Sequence, residues 1–173
     1  YTVDNTQPSV TAFTRLSPTS DSTNNESVTF KVSFTEPVTG IGPAAFTTDG
    51  TAGGTVSSVS TSGDTTVTVG SFSGDGTVGL NLDADGTITD PAGNGLALTE
   101  PSTDETYTID TAAPSITAIT RSSPTTDSTS QSSVTFAVSF SEPVTSIGTG
   151  DFVANTSISG VTVSSVDVPT TGD

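Results

Sequence analysis

The sequence predicts an all-β protein built from tandem Greek-key β-sandwiches with about seven strands each. Residues 1–46 recur from Tyr107 onward without a gap, with about 29 of 46 residues identical. A period of about 100 residues suits one independently folding domain and is too long for a solenoid unit. Abundant Thr and Val, together with 17 Gly and 10 Pro, favour short strands joined by turns.

The repeat also predicts the domain boundaries. Residues 1–6 match the end of a module and its linker, and residues 7–110 form one complete module. Residues 111–113 are a linker, and residues 114–173 are an incomplete second module. We therefore expect the chain to belong to a longer array, in which neighbouring modules of the same chain are the first partners.

The first half of each module has the clearest strand patterns. Residues 8–16 are predicted to form a strand with Val10 and Ala12 on one face. Residues 27–35 alternate strictly, which predicts a strand with one buried side and one side facing water. The residues expected to face water are Thr29, Lys31 and Ser33; those expected in the core are Val28, Phe30, Val32 and Phe34, with their copies Val134, Phe136, Val138 and Phe140.

The second half of the module is predicted to supply the remaining strands of the sandwich, with a long polar loop at residues 83–104 before the last strand. Phe46 is expected to anchor a short strand, and Tyr107 and Ile109 are expected to point inward from the last strand. The other predicted strands lie at residues 54–60 and 65–72, which form a hairpin, and at residues 77–82 and 105–110.

The charge of the chain narrows the classes of partner. The net charge is −16, with three Lys and Arg against 19 Asp and Glu. Nucleic acid is excluded as a natural partner, because too few cations are present to neutralise phosphates, and an anionic membrane surface is disfavoured. The acidic charge favours divalent cations, high-salt surroundings, or both. The sequence contains no apolar run long enough for a membrane span, so we expect no membrane insertion in this segment.

Catalysis finds little support in the residue types. The sequence has no His and no Cys, so neither the usual Ser triad nor thiolate chemistry is available. A carboxylate pair could hydrolyse a glycoside, but the acidic residues fall in predicted turns and no Trp is present to line a sugar cleft. We predict that the protein is not an enzyme.

The densest acidic segment lies at residues 81–90. Its oxygen-bearing side chains at the first, third and fifth positions, followed by Gly86, resemble the first half of an EF-hand loop. The twelfth position, where a bidentate Glu belongs, is Ala92, so Asp90 or Asn94 is the expected substitute. The alternative is an Asp-Gly turn whose carboxylates face solvent. The predicted calcium ligands are Asn81, Asp83, Asp85, Asp90 and Asn94.

A second acidic group is expected at the junction between modules. Asp4 and Asp110 each end the last strand of a module, just before the next module begins. Glu36, in a Glu-Pro-Val turn, and its copy Glu142 are predicted at the same pole of the sandwich. A calcium ion there would neutralise the carboxylates and fix the interdomain angle. The alternative is that Asp110 only caps a turn of the linker.

Three segments together resemble the bacterial immunoglobulin-like repeats of giant surface proteins and repeats-in-toxin-type adhesins. The segments are the Glu-Pro-Val turn at residues 36–38, Asp-Pro-Ala-Gly-Asn at residues 90–94 and Tyr-Thr-Ile-Asp-Thr at residues 107–111. The resemblance implies immunoglobulin-like sandwiches that serve as extenders in cell-surface fibres, often stiffened by calcium. It implies no particular ligand.

We therefore predict a structural extender module of a long, secreted cell-surface adhesin or fibre, located outside the cell. One alternative is an adhesion module whose loops after Phe46 and Leu82 contact a cell-surface ligand, such as carbohydrate or a neighbouring cell. Another is a filament subunit that polymerises with other copies by strand exchange, because the second module has an apolar sheet edge without its last strands.

Overall fold

The computed structural model describes residues 2–83 and 87–168. It is nearly all β, with 40% strand and 4% helix, and its sheets pack in a sandwich-like way, which confirms the predicted all-β class. The described helical residues lie in two 3-10 turns, Pro43–Ala45 and Thr149–Asp151, and no described helix is long and apolar enough to cross a membrane. The chain divides into two compact units, Tyr1–Ala112 and Ala113–Asp173.

The described part of the first unit contains two sheets. Its strands are β1 Val10–Ser17, β2 Ser22–Thr23, β3 Ser27–Phe34, β4 Phe46–Asp49, β5 Thr55–Ser60, β6 Thr65–Gly70, β7 Gly76–Leu82, β8 Thr103–Asp104 and β9 Tyr107–Ile109. One sheet has the order β5–β6–β3–β1–β8 and the other the order β2–β9–β7–β4. The pairs β1–β8 and β2–β9 are parallel, and the other pairs are antiparallel. The two-residue strands β2 and β8 were not predicted from the sequence.

Aromatic side chains from the two sheets meet in the core. Phe13 of β1 packs edge-to-face on Phe46 of β4, with ring centroids 6.3 Å apart. Phe30 of β3 packs in the same way on Tyr107 of β9 at 5.0 Å. Edge-to-face pairs are favourable because the positive edge of one ring meets the negative face of the other. These contacts make the two sheets one sandwich-like body.

The strand β3 has the predicted inward face. Val28, Phe30 and Val32 are buried, whereas Phe34 is half-buried near the end of the strand. The alternate residues Thr29, Lys31 and Ser33 are half-buried rather than fully exposed, because β3 is flanked by β1 and β6 within its sheet.

The prediction for β1 was wrong by one position. The core-facing residues are Val10 and Phe13, whereas Ala12 is only half-buried. The register between β1 and β3 shifts between Val10 and Ala12, which marks a β-bulge. A bulge inserts an extra residue and therefore interrupts the period-two alternation on which the prediction relied.

The hydroxyl of Tyr107 fastens β9 to the opposite sheet. It lies 2.8 Å from the carbonyl oxygen of Pro18 and 2.9 Å from that of Thr29, and it accepts a hydrogen bond of 3.1 Å from the amide of Leu16. Tyr107 is fully buried, so these partners satisfy a polar group that would otherwise be costly in the core.

The second unit repeats the register of the first. Its strands are β10 Ile116–Ser123 and β11 Thr135–Phe140. Ile116 pairs with Phe140 and Ile119 with Val138, at the positions equivalent to Val10–Phe34 and Phe13–Val32. The register shifts also fall at equivalent places in the two pairs. The internal repeat therefore extends to bulges and pairing, beyond sequence identity.

The predicted burial of the copied core residues in the second unit was wrong. Val134 and Phe136 are both 53% exposed, and Val138 and Phe140 are half-buried. In the first unit the equivalent side chains pack within a core cluster to which β6, β7 and β9 contribute. In the second unit the described residues include only β10 and β11 as strands, so this apolar face has no opposing sheet.

Candidate metal site

The structure brings together three carboxylates that are far apart in the sequence: Asp4, Glu36 and Asp90, here called the carboxylate cluster. One carboxylate oxygen from each lies within 4.8 Å of the others. Asp4 is exposed, Glu36 is half-buried and Asp90 is only 2% exposed. The cluster therefore combines members of both acidic groups predicted from the sequence.

The Asp-Pro-Ala-Gly-Asn segment positions Asp90. The carbonyl oxygen of Asp90 accepts a hydrogen bond of 3.2 Å from the amide of Gly93, and the amide of Asp90 donates to the carbonyl of Asn94 at 3.1 Å. Pro91 favours the turn because its ring fixes the backbone angle required at the second position. Gly93 has φ of 95°, a left-handed conformation that glycine adopts without steric cost.

Hydrogen bonds from Asn94 hold the Asp90 carboxylate in its charged form. The Asn94 backbone amide donates to Asp90 Oδ1 and its side-chain amide donates to Asp90 Oδ2, both at 2.8 Å. These bonds, first that from the side chain, lower the pKa of Asp90 against the opposing effect of burial. The same Asn94 Nδ2 donates to the carbonyl oxygen of Asp4 at 3.1 Å. Asn94 therefore supports the cluster through its N–H groups.

Glu36 reaches the cluster because two loop segments pair beside it. The amide of Thr39 donates to the carbonyl of Thr89 at 2.8 Å, and the amide of Thr89 donates back at 3.2 Å. This bridge holds the Glu-Pro-Val turn against the segment that leads into Asp90. Burial raises the pKa of Glu36, and repulsion by Asp4 and then Asp90 raises it further.

Asp4 is held by the path of the N-terminal segment. Ser9 forms a parallel bridge with Ala97, and the amide of Ala97 donates to the carbonyl of Pro8 at 2.8 Å. Asp4 Oδ1 accepts a hydrogen bond of 3.0 Å from the amide of Thr6. The segment before β1 therefore runs beside the turn that carries Asp90.

The basic side chains of the protein pair with carboxylates outside the cluster. The sequence contains three Lys and Arg residues in total. Arg15 lies 3.8 Å from Glu105, Lys31 lies 2.9 Å from Asp64, and Arg121 pairs with Asp127. The negative charge of the cluster is therefore left without a basic side chain as its ion-pair partner.

A calcium ion is compatible with this geometry. Calcium binds carboxylate oxygens at about 2.4 Å, so oxygens that lie within 4.8 Å of one another can share one ion. Calcium also accepts flexible ligand geometry, whereas magnesium requires a near-ideal octahedron. A calcium ion at the cluster would also accept backbone carbonyls and water as further ligands.

The other predicted ligands lie elsewhere. Asn81 is in β7 opposite Thr47. Asp83 is exposed, its amide donates to the carbonyl of Ala45 at 2.8 Å, and it is outside the cluster. Asp85 lies outside the described residues. Among the described residues, the carboxylates that could share a metal ion therefore do not follow the ligand order of an EF-hand-like loop.

Asp110 and Glu142 are the repeat equivalents of Asp4 and Glu36, and they belong to different units. Asp110 lies in the first unit, where its Oδ1 accepts a hydrogen bond of 3.2 Å from the amide of Ala112. Glu142 lies in the second unit and is half-buried. The structure does bring Asp4 and Glu36 together, as the junction hypothesis expected, and adds Asp90, which the sequence analysis had assigned to a separate site.

Comparisons with protein-family models, with curated proteins and with solved structures find no match for this chain. The internal repeat, the sandwich-like fold and the carboxylate cluster are therefore the features on which its function is inferred.

Proposed function

We propose that the chain is a structural, non-enzymatic extender module of a long, secreted cell-surface adhesin or fibre. The observation that carries this proposal is the repeat: the pairing register and the bulges of β1–β3 recur in β10–β11. Such repetition suits a protein that gains length by adding modules. The resemblance to bacterial immunoglobulin-like repeats supports the same function.

Calcium at the carboxylate cluster is the second part of the proposal. The cluster offers three oxygen ligands at a separation that one calcium ion can bridge. One ligand is buried and already charged because Asn94 supports it. The ion would balance the negative charge of the cluster, because the three basic side chains already pair with other carboxylates.

In this proposal, the ion stabilises the module by joining three chain segments. Asp4 comes from the segment before β1, Glu36 from the turn after β3, and Asp90 from the turn beyond β7. In the repeat, Asp4 is the equivalent of Asp110, which follows β9. An ion at the cluster would therefore fasten the end of a preceding module to the module that follows it.

Thermal unfolding of the whole chain tests calcium binding. An ion that binds only the folded state adds about 2.7 kcal/mol to the free energy of unfolding at 100 times its Kd, which corresponds to a rise in Tm of about 10 °C. We expect Glu36→Gln to remove most of this rise, because it deletes a charged ligand. The matched variant Glu142→Gln changes the equivalent position of the second unit. It should leave the calcium-dependent rise in Tm of the first unit unchanged.

Identical melts in calcium and in a chelator would contradict calcium binding. A calcium-dependent rise that survives Glu36→Gln but disappears with Glu142→Gln would place the ion at another site.

A further inference from the structure

Asn94 and Gly95 form the one Asn-Gly pair of the sequence. The chain has six asparagines, and the other five precede Thr, Asn, Glu or Leu. Asparagine is thermolabile, because the backbone nitrogen of the next residue can attack its side-chain carbonyl carbon. A following glycine leaves this attack unhindered, since glycine has no Cβ and its backbone is conformationally free. Asn94 is therefore the asparagine whose neighbour most favours loss of the side-chain amide.

The fold does not require a glycine at position 95. Gly95 lies outside the left-handed region, and a Cβ there would meet nothing within 4 Å. Gly50 and Gly76, which follow acidic residues, are different. Both have left-handed backbone angles, and a Cβ on either would collide with a neighbouring oxygen. Gly95→Ala is therefore a control that preserves the turn while it hinders the attack.

The amide of Gly95 is available as the attacking group. The antiparallel bridge between Thr89 and Gly95 is made by hydrogen bonds from the amides of Asp90 and Leu96. The bridge therefore leaves the N–H of Gly95 unused, and this N–H donates to no acceptor in the part of the chain that the structure describes. Asn94 and Gly95 are both half-buried, so water has access to them.

We propose that Asn94 is a site of spontaneous deamidation, with Gly95 as the source of the attacking nitrogen, and that the product loosens the turn at residues 90–94. The nitrogen of Gly95 gives its proton to solvent and bonds to Cγ of Asn94. The bond from Cγ to Nδ2 breaks, and this nitrogen takes up a proton and leaves as ammonia. Water then opens the succinimide ring at one of its two carbonyl carbons, which yields Asp or isoaspartate at this position.

The product changes the carboxylate cluster because Nδ2 of Asn94 is a donor there. It donates to Asp90 Oδ2 at 2.8 Å and to the carbonyl oxygen of Asp4 at 3.1 Å. A carboxylate at the same position donates neither bond and places a negative charge against Asp90, which is buried. A buried charged group that loses its donor is destabilised. The same two bonds restrain the side-chain amide in the folded unit, so the attack occurs when the turn opens locally.

Incubation of the full chain in a chelator at mildly alkaline pH, followed by peptide mapping with mass spectrometry, tests the proposal. We expect Asn94 to show the mass gain of replacing NH2 by OH, with the Asp and isoaspartate forms distinguished by electron-transfer fragmentation. The exposed Asn25, which precedes Glu26, should stay unchanged over the same period. Gly95→Ala should slow the conversion about tenfold or more, which corresponds to a barrier higher by about 1.4 kcal/mol or more.

Thermal unfolding in the same chelator measures the effect of the product. Asn94→Asp should lower the Tm of the first unit by about 5 °C or more, whereas Gly95→Ala should leave it unchanged. An Asn94 that remains intact, a rate that Gly95→Ala does not alter, or an unchanged Tm for Asn94→Asp would each overturn the proposal. All of these measurements are made without calcium, so their outcome is independent of whether the cluster binds the ion and of the extender function.

Discussion

Phe30 and Phe136 are the same residue type at the same position of the repeat, in opposite environments. Phe30 is fully buried, whereas Phe136 is 53% exposed. Phe30→Ala should lower the free energy of unfolding of the first unit by about 3–5 kcal/mol, because it leaves a cavity beneath Tyr107. Phe136→Ala should change stability by no more than about 1 kcal/mol.

Denaturant unfolding followed by circular dichroism measures both variants, and Lys31→Ala is a surface control. Lys31 forms an ion pair with Asp64 in which both side chains are more than one third exposed, so its loss should cost about 0.5 kcal/mol or less. Equal losses for Phe30→Ala and Lys31→Ala would mean that the inward face of β3 is wrongly assigned.

Glu36 gives the carboxylate cluster a pH dependence with a defined sign. Its pKa is raised above the ordinary value of 4.5, so without metal the folded state holds this proton more tightly than the unfolded state. Its contribution to stability therefore falls as pH rises through the window just above 4.5. Asp90 has the opposite sign: its pKa is lowered below 3.8, so its contribution is present above 3.8 and is lost as pH falls below that value.

Proton binding and calcium binding at Glu36 should compete. We expect the calcium-dependent rise in Tm to shrink as pH is lowered from 7 toward the raised pKa of Glu36, since a protonated carboxyl is a poor calcium ligand. Melts at several pH values, with and without calcium, measure this effect. A rise that stays constant down to pH 4.5 would show that Glu36 does not bind the ion.

At the scale of elements, two asparagines predicted as calcium ligands differ in position: one lies in the turn at residues 90–94 and the other in the strand β7. We expect their substitution to affect calcium binding differently. Asn94 donates to both oxygens of Asp90, whereas Asn81 lies in β7 opposite Thr47. Asn94→Ser should weaken calcium binding about tenfold or more, because residues that orient a ligand matter nearly as much as the ligand. Asn81→Ser should leave it unchanged.

Calcium titration by calorimetry compares the two variants. The reverse result would favour the EF-hand-like interpretation of residues 81–90. In that result Asn81→Ser weakens calcium binding and Asn94→Ser has no effect on it.

The same elements explain how far the sequence could predict the structure. The alternation of β3 was sufficient for its inward face, since one buried side imposes a strict period of two. The bulge in β1 breaks that period, so Phe13 was missed and Ala12 was chosen. Glu36 could be placed from its turn, but its approach to Asp90 depends on the bridge between Thr39 and Thr89, which no local spacing reveals.

At the scale of the whole molecule, the junction between modules is predicted to be stiff. Residues 111–113 span at most about 10 Å, and Pro114 restricts both its own backbone and that of Ala113. The side chain of Asp75 also accepts hydrogen bonds from the amide and hydroxyl of Thr111, at 2.8 Å and 2.7 Å. These bonds leave fewer linker residues free to rotate.

Small-angle scattering of the full chain measures this stiffness. Pro114→Gly combined with Asp75→Ala should broaden the distribution of maximum dimensions, whereas Ser62→Gly in the exposed turn between β5 and β6 should not. If the wild-type chain already has as broad a distribution of maximum dimensions as the double variant, the linker is a flexible tether.

The parallel pairing of the first two strands with the last two determines how the first unit would bear tension. β1 lies parallel to β8, and β2 lies parallel to β9. A pull on the two ends of the unit would draw these neighbours in opposite directions along a common axis. The hydrogen bonds between them, including those from Glu105 to Phe13 and from Thr108 to Asp21, would then be loaded together in shear instead of opening one after another. The topology thus places the hydrogen bonds of the two parallel pairs across the line along which a force on the chain ends would act.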